Sequence, residues 1–196
     1  MSGQPWDASY QDGPAPWDIG GPQPAIVALA AEGAFTGTVL DAGCGTGANA
    51  LHLAALGLSV FGVDVAGTAI ATARSAATAR GLAAEFAIAD ALHLELLGRT
   101  FDTVIDSGLF HTFDATERAD YVASLAAATK PNGTLYVLCF SDEGTDPGPH
   151  PVSRADLTSA FQPTTGWAIA SIEAARVETR FHDQGAPAWL ARIERR

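Results

Sequence analysis

The chain is short of cysteine, of positive charge and of long apolar runs. Its 196 residues include two cysteines, Cys44 and Cys139, too few for a disulfide scaffold and compatible with a reducing compartment. Lys and Arg number 11 against 22 Asp and Glu, a formal charge of −11. So acidic a chain is poorly suited to tracking nucleic-acid phosphates or settling on an anionic membrane, but it tolerates a cationic cofactor or a small uncharged substrate. The most apolar stretch, Leu51 to Val65, is broken by Gly57, Ser59, Gly62 and Asp64, and nothing approaches the ~18 unbroken apolar residues of a membrane span. No basic start leads into an apolar run. No His/Cys group has metal-ligand spacing, and Ser107 lacks the G-x-S-x-G surroundings of a nucleophile elbow. The expectation is a cytoplasmic protein, a monomer or weak homodimer, that handles a small molecule without metal, nucleic acid or membrane.

What is present is core-forming material. Hydrophobic residues make up 47% and charged residues 17%, far from the composition of a disordered chain. Residues 1–24 stand apart. They are broken by Gly13-Pro14, Pro16, Gly20-Gly21-Pro22 and Pro24, yet carry Trp6, Tyr10 and Trp17. An aromatic-rich arm of this kind either tucks onto the core or acts as a lid over a ligand. Residues 25–196 read as one domain of alternating strands and Ala-rich helices. Helices are expected from Pro24 to Ala31, Gly47 to Leu56, Thr68 to Arg80, from the Asp114 cap to Lys130, and after Ser153. Asp114/Glu117 and Ser153/Asp156 have capping-box spacing. Strands are expected at Thr38 to Leu40, Leu58 to Val63, Ala84 to Ala89, Phe101 to Ile105, Thr134 to Phe140, Trp167 to Val177 and Ala188 to Ile193. The alternation predicts a three-layer α/β fold with a largely parallel sheet.

Four strands run into an acid: Asp41, Asp64, Asp90 and Asp106. Ligands of open α/β sheets bind beyond the carboxyl ends of the strands, so these acids are expected along a ligand-facing edge. Between the first strand and its helix lies Asp41-Ala42-Gly43-Cys44-Gly45-Thr46-Gly47-Ala48. Gly43, Gly45 and Ala48 satisfy the dinucleotide pattern G-x-G-x-x-G/A, and Asp64 stands where an acid would hold ribose hydroxyls, so NAD is permitted. Asp41 weighs the other way. A diphosphate on the helix N-terminus would be repelled by that carboxylate, whereas the ammonium and sulfonium of S-adenosylmethionine would be attracted.

Asp41-x-Gly43-x-Gly45-x-Gly47 resembles motif I of the class I S-adenosylmethionine-dependent methyltransferases. The resemblance covers the chain from about Pro16 onward. It implies a Rossmann-like sandwich with a seven-stranded, mostly parallel sheet whose last strand is antiparallel. It also implies that Asp64, with Val65 beside it, binds the cofactor ribose, that Asp90-Ala91 meets the adenine, and that Ser107 lies near the methionine end. Pro16-Trp17-Asp18-Ile19-Gly20 and Asp106-Ser107-Gly108-Leu109-Phe110-His111 resemble, more narrowly, the thiopurine-methyltransferase-like enzymes and the methyltransferases of heterocyclic toxins and quinones. In that group the arm tryptophan, here Trp17, packs near the cofactor.

Methyl transfer is an in-line displacement, largely catalysed by positioning and exclusion of water. A base is needed only for a protonated acceptor. His111 is the candidate, with packing beside Phe110 and Phe113 as its alternative role. His150, in Pro149-His150-Pro151, is a candidate substrate contact, while His52, His93 and His182 read as surface or packing residues. Tyr10, Trp17, Phe110, Phe113 and Phe140 could line an aromatic acceptor pocket, with core packing as the alternative, above all for Phe140. Phe140, Trp167 and Trp189 fit the core, and Cys44 is a small filler of the glycine loop. No Asn-Pro-Pro-Tyr-like segment of the nucleic-acid amino-methyltransferases follows Asp106. A non-catalytic cofactor-binding module and a nicotinamide-dependent oxidoreductase stay open as alternatives to a methyltransferase acting on O, S or N.

Overall fold

Val39 and Leu40 are neighbours in sequence and lie in different hydrophobic cores. The same alternation holds at Val104 and Ile105, and at Leu135 and Tyr136. It is the period of two of a strand covered on both faces. The computed structural model, which describes residues 6–144 and 150–196, contains seven strands. They are β1 (Thr38–Ala42), β2 (Ser59–Asp64), β3 (Glu85–Ile88), β4 (Phe101–Ser107), β5 (Thr129–Phe140), β6 (Trp167–Val177) and β7 (Ala186–Arg195). They form one sheet in the order β3-β2-β1-β4-β5-β7-β6. β7 runs antiparallel to both its neighbours, and the β1, β2, β3, β4 and β5 pairings are parallel.

Five helices cover the sheet: α1 (Pro24–Ala31), α2 (Ala48–Ala55), α3 (Gly67–Arg80), α4 (Ala115–Ala128) and α5 (Arg154–Ala160). Ile26 of α1, Leu51 and Leu53 of α2, and Ile70, Ala73 and Ala77 of α3 bury one face. Tyr121, Val122 and Leu125 of α4 and Leu157 of α5 bury the other. Each fully buried Leu or Ile contributes roughly 1.5–3 kcal/mol relative to exposure. Small residues bring α2 and α3 close to the sheet: a Cβ on Gly62 would lie 2.6 Å from the Phe86 ring, and one on Gly47 2.8 Å from it. Trp167 and Trp189 are fully buried, as expected.

The capping boxes at Asp114 and Ser153 are both formed. α3 has no side-chain cap of its own. Instead, Asp7 accepts from the Thr68 N–H at 2.7 Å and from its hydroxyl at 2.9 Å. These bonds hold the Asp7 carboxyl below its usual range and tie the N-terminal arm to the domain.

Several boundaries differ from the sequence reading. α4 stops at Ala128 rather than Lys130, because the Thr129 hydroxyl donates back to the Leu125 carbonyl and Lys130 reaches Asp102 on β4 at 2.8 Å. That pairing sets Thr129 opposite Phe101, and after a register shift the ladder resumes with Thr134 opposite Thr103. Asp41 and Asp106 lie inside β1 and β4 rather than beyond their ends, which changes where their carboxylates point. Among the described residues no helix is long and apolar enough to cross a membrane.

Candidate active site

The chain leaves β1 toward one face of the sheet and β4 toward the other, so a crevice opens between their carboxyl ends, the position where open α/β sheets bind ligands. Ala42 pairs with Asp106, so Gly43 and Ser107 emerge side by side. A cavity of about 360 Å³ lies there, and beside it a smaller recess of about 70 Å³ against the glycine loop. Gly43, Ser107, Tyr10, Trp17 and Gln23 line both.

The glycine loop is held open by its backbone. Gly43, Gly45 and Gly47 have φ of 72°, 54° and 80°, a region costly for residues with a Cβ. A Cβ on Gly43 would come within 2.9 Å of Leu109, and one on Gly45 within 3.0 Å of the Tyr10 hydroxyl. Asp64 fixes the loop to β2, accepting from the Gly45 and Ala66 N–H groups, each at 2.9 Å. Burial raises the Asp64 carboxyl above its usual range, partly offset by these bonds. Asp90 accepts from the Leu92 N–H and, with Ala91 and Val65, lines the large cavity on the Asp64 side. Asp18 lines the recess, held by the Thr46 hydroxyl at 2.8 Å and the Gly20 N–H at 2.9 Å.

The arm roofs this region. Trp17 Nε1 donates to the Tyr10 hydroxyl at 2.9 Å, and Trp17 packs edge-on against both Trp6 and Tyr10. Gln23 anchors its far end: its amide donates to the Glu178 carbonyl and accepts from the Glu178 N–H. The Arg180 N–H donates to the Pro16 carbonyl. Burial first, then the Asp64 charge, pushes the Tyr10 hydroxyl well up, so it stays protonated.

The cavity as a whole is mostly apolar, and a second group of its residues gathers around Phe140. Phe113, Phe140, Val177 and Phe181 line it with His111, His150, Thr179 and His182. His111 is 8% exposed and its ring centroid lies 4.5 Å from that of Phe140. Burial holds its imidazole well below the usual range, at about 3, with His150 and Arg118 adding to the shift. His150 has a φ of 52°, an uncommon backbone for a residue with a side chain.

Several expectations need correction. Asp41 and Asp106 line neither cavity. Asp41 supports the loop from below, accepting from the Ala50 N–H at 3.1 Å, and burial raises it to about 7. Asp106 accepts from the Leu109 and Phe110 N–H groups and the Tyr121 hydroxyl, and burial raises it to about 6. The acids facing the cavities are therefore Asp18, Asp64 and Asp90. Phe110 is turned into the core against Phe161, because Asp106 caps the turn that begins with it, and it does not line the cavity. Tyr10 lies over the glycine loop as well as on the large cavity. His182, read as surface or packing, lines the cavity and bonds Thr179 through Nδ1 at 2.7 Å. Asp18, Thr46, Asn49, Thr179 and Phe181 were not singled out. Asp18 and Thr46 carried a signal, as parts of the Trp17-Asp18 motif and the glycine loop.

S-adenosylmethionine fits these residues. The cradle has no room for a Cβ at Gly43, and the walls near it are acidic, which suits a cationic amino-acid and sulfonium group and opposes a diphosphate. Asp64 would hold the ribose, Asp90 and Ala91 the adenine, and the recess from Gly43 to Asn49 the amino-acid end.

Comparison with known proteins agrees. Residues 39–133 match the family described as a methyltransferase domain. The chain is 39% identical over 178 residues to the 2-heptyl-1-hydroxyquinolin-4(1H)-one methyltransferase of Mycobacteroides abscessus, covering 87% of this chain and 78% of that one. A solved structure described as "Conversion of a Disulfide Bond into a Thioacetal Group during Echinomycin Biosynthesis" superposes with a TM-score of 0.87 at 42% identity, covering 97% of this chain and 91% of that one. The magnesium protoporphyrin IX methyltransferase of Synechocystis, solved with S-adenosylmethionine bound, gives a TM-score of 0.67 at 25% identity, over 88% and 76% of the two chains.

Proposed function

This chain belongs to the class I S-adenosylmethionine-dependent methyltransferases, and from that premise we propose that it methylates an O or S atom, or less readily an N atom, of a small flat aromatic or heterocyclic acceptor. The observation that carries the reading is the division of the cavity. Asp64, bonded to the glycine loop, and Asp90 line one part of it, and Phe140 with the rings of His111 and His182 beside it, together with Val177, Phe181 and His150, lines another. An aromatic-walled part of a cavity of about 360 Å³ in all suits a flat small molecule. The hydroxyquinolone methyltransferase relative supports the same class of acceptor.

When bound, S-adenosylmethionine supplies an electrophilic methyl group on a positively charged sulfur, which leaves as a neutral thioether. The chain's own residues bind, orient and dry the site. Gly43 and Gly45 let the backbone approach closely, Gly47 makes room for Phe86 and Ala73 and does not line the recess, Asp64 fixes the loop and offers its carboxylate to ribose, and Ser107 lines both the cavity and the recess. Trp17 and Tyr10 roof the junction and exclude water, which strengthens every electrostatic contact beneath them. We read residues 1–24, of which 1–5 lie outside the described residues, as an arm or lid and residues 25–196 as the methyltransferase domain. The two thiols, neither in a disulfide, support a reducing, cytoplasmic setting. The acidic charge supports a partner list limited to the small acceptor, with the protein a monomer or weak homodimer.

A labelled-methyl transfer screen over hydroxyquinolones, phenols, thiols and quinols tests this. Label on a hydroxy- or mercapto-heteroaromatic is expected. Cofactor binding by calorimetry with no acceptor labelled would support a non-catalytic module instead.

A further inference from the structure

His111 lines the acceptor end of the cavity, and its Nδ1 is buried with no hydrogen-bond partner among the described residues. A buried ring nitrogen left unpaired is costly, and such a cost persists where a ligand supplies the missing partner. The groups around the ring do not make it a base. Arg118 of α4 and His150 both oppose a positive charge on it. Asp106 of β4 is already engaged by two N–H groups and the Tyr121 hydroxyl. Cys139 of β5 is a buried thiol pushed up by burial. His182, across Phe140 from His111, bonds Thr179. In the Ser-His-Asp arrangement the histidine that takes a proton is steadied by a carboxylate on its far nitrogen; among the described residues His111 Nδ1 has no hydrogen-bond partner of any kind.

Resting on the reading of this end as the methyl-acceptor site, we propose that His111 holds the acceptor as a neutral hydrogen-bonding ring and takes no proton from it, so that the substrate class is a flat aromatic or heteroaromatic compound whose attacking oxygen or sulfur is already ionised in water. The anion's lone pair forms the bond to the methyl carbon, the carbon–sulfur bond breaks with its pair left on sulfur, and no proton remains to be placed. Phe140 and Val177 strip water from the anion while His111 donates one hydrogen bond to it. An imidazole that titrates near pH 3 is uncharged at neutrality. It is also too weak a base to deprotonate a phenol of ordinary acidity.

The test uses ring-matched hydroxy- and mercapto-heteroaromatics whose own pKa values span about 5 to 10, with wild type and His111→Gln. The kcat/KM is followed against pH. It is expected to rise tenfold per pH unit up to each acceptor's own pKa and to level there. The hydroxy and mercapto arms show which atom is preferred. His111→Gln is expected to keep those break points and to lose less than about tenfold, as one hydrogen bond is weakened. A break at one fixed pH for every acceptor, lost in His111→Gln together with a hundredfold or larger fall, overturns the proposal. A second readout needs no variant: the absorbance of a chromophoric member bound with S-adenosylhomocysteine. The anion's band at pH 7 is expected for a member ionised in water, and the protonated form's band overturns the proposal. If no member binds or reacts while calorimetry still reports S-adenosylmethionine binding, the acceptor class is wrong and the cofactor reading stands. If the cofactor does not bind, both fall.

Discussion

The indole nitrogen of Trp17 donates to the Tyr10 hydroxyl across 2.9 Å, directly above the glycine loop. Since Tyr10 accepts this bond, its own O–H is left to point at whatever lies on Gly45. Trp17 is 41% exposed, so the pair contributes little to the stability of the domain. Its value lies in closing the roof. Trp17→Phe keeps an aromatic ring and deletes the donor. A bond of roughly 0.5–1.5 kcal/mol is lost, which predicts a two- to tenfold rise in the S-adenosylmethionine Kd with little change in Tm. Calorimetry beside thermal unfolding checks this. An unchanged Kd would place the arm outside the cofactor site.

Asp64 is bound to the loop and also lines the cavity. Asp64→Ala removes the tether of Gly45 and, on the proposed reading, a charge-assisted contact to ribose. Such contacts are worth roughly 1.5–3 kcal/mol, so cofactor affinity should fall by about tenfold to a hundredfold. An affinity within twofold of wild type contradicts the assignment.

Gly43 combines a φ of 72° with 2.9 Å of room before Leu109. Gly43→Ala is expected to cost on the order of 1–2 kcal/mol of stability through its left-handed backbone. It should also weaken cofactor binding more than Gly98→Ala, which shares the positive φ but has nothing within 4 Å. Thermal unfolding and calorimetry on both variants separate strain from occlusion. Equal cofactor affinities would remove Gly43 from the cradle.

Asp106 is fully buried and titrates near 6, against about 3.9 in an unfolded chain. Between those values the folded state keeps a proton that the unfolded state has released, so its contribution to stability falls as pH rises from 4 through 6. Asp106→Asn removes the titration and still accepts the Leu109 and Phe110 N–H bonds. The stability of wild type minus that of the variant should therefore decline from pH 4 to pH 7, by on the order of 2 kcal/mol, and be flat below pH 4. Denaturant unfolding at several pH values measures it. A difference that grows with pH would mean that the hydrogen bonds outweigh burial.

Much of this was legible in the sequence because it is local. The loop from Gly43 to Gly47 and the acids at Asp64 and Asp90 are fixed by strand–turn–helix spacing, and the capping residues Asp114 and Ser153 announce their helices. What depends on orientation was not legible. Asp41 and Asp106 share the spacing of Asp64, but they end as buried props because their strands run one or more residues further. Phe110 and His111 are adjacent and diverge, one into the core and one onto the cavity. His182, Thr179 and Phe181 come from the connection between β6 and β7, some 70 residues beyond Phe110 (181 − 110 = 71). Only the antiparallel return of β7 brings them to Phe140. The arm's aromatics marked it as unusual, but its anchor, Asp7 on the start of α3, is a contact across 61 residues.

The most direct test is a crystal structure of the intact protein with S-adenosylhomocysteine. The account places the ribose hydroxyls on Asp64, the adenine beside Asp90 and Ala91, the amino-acid end in the recess between Gly43 and Asn49, and open space between His111, Phe140 and His182. A ligand seated instead at the His111–Phe140 end, with Asp64 untouched, would contradict it.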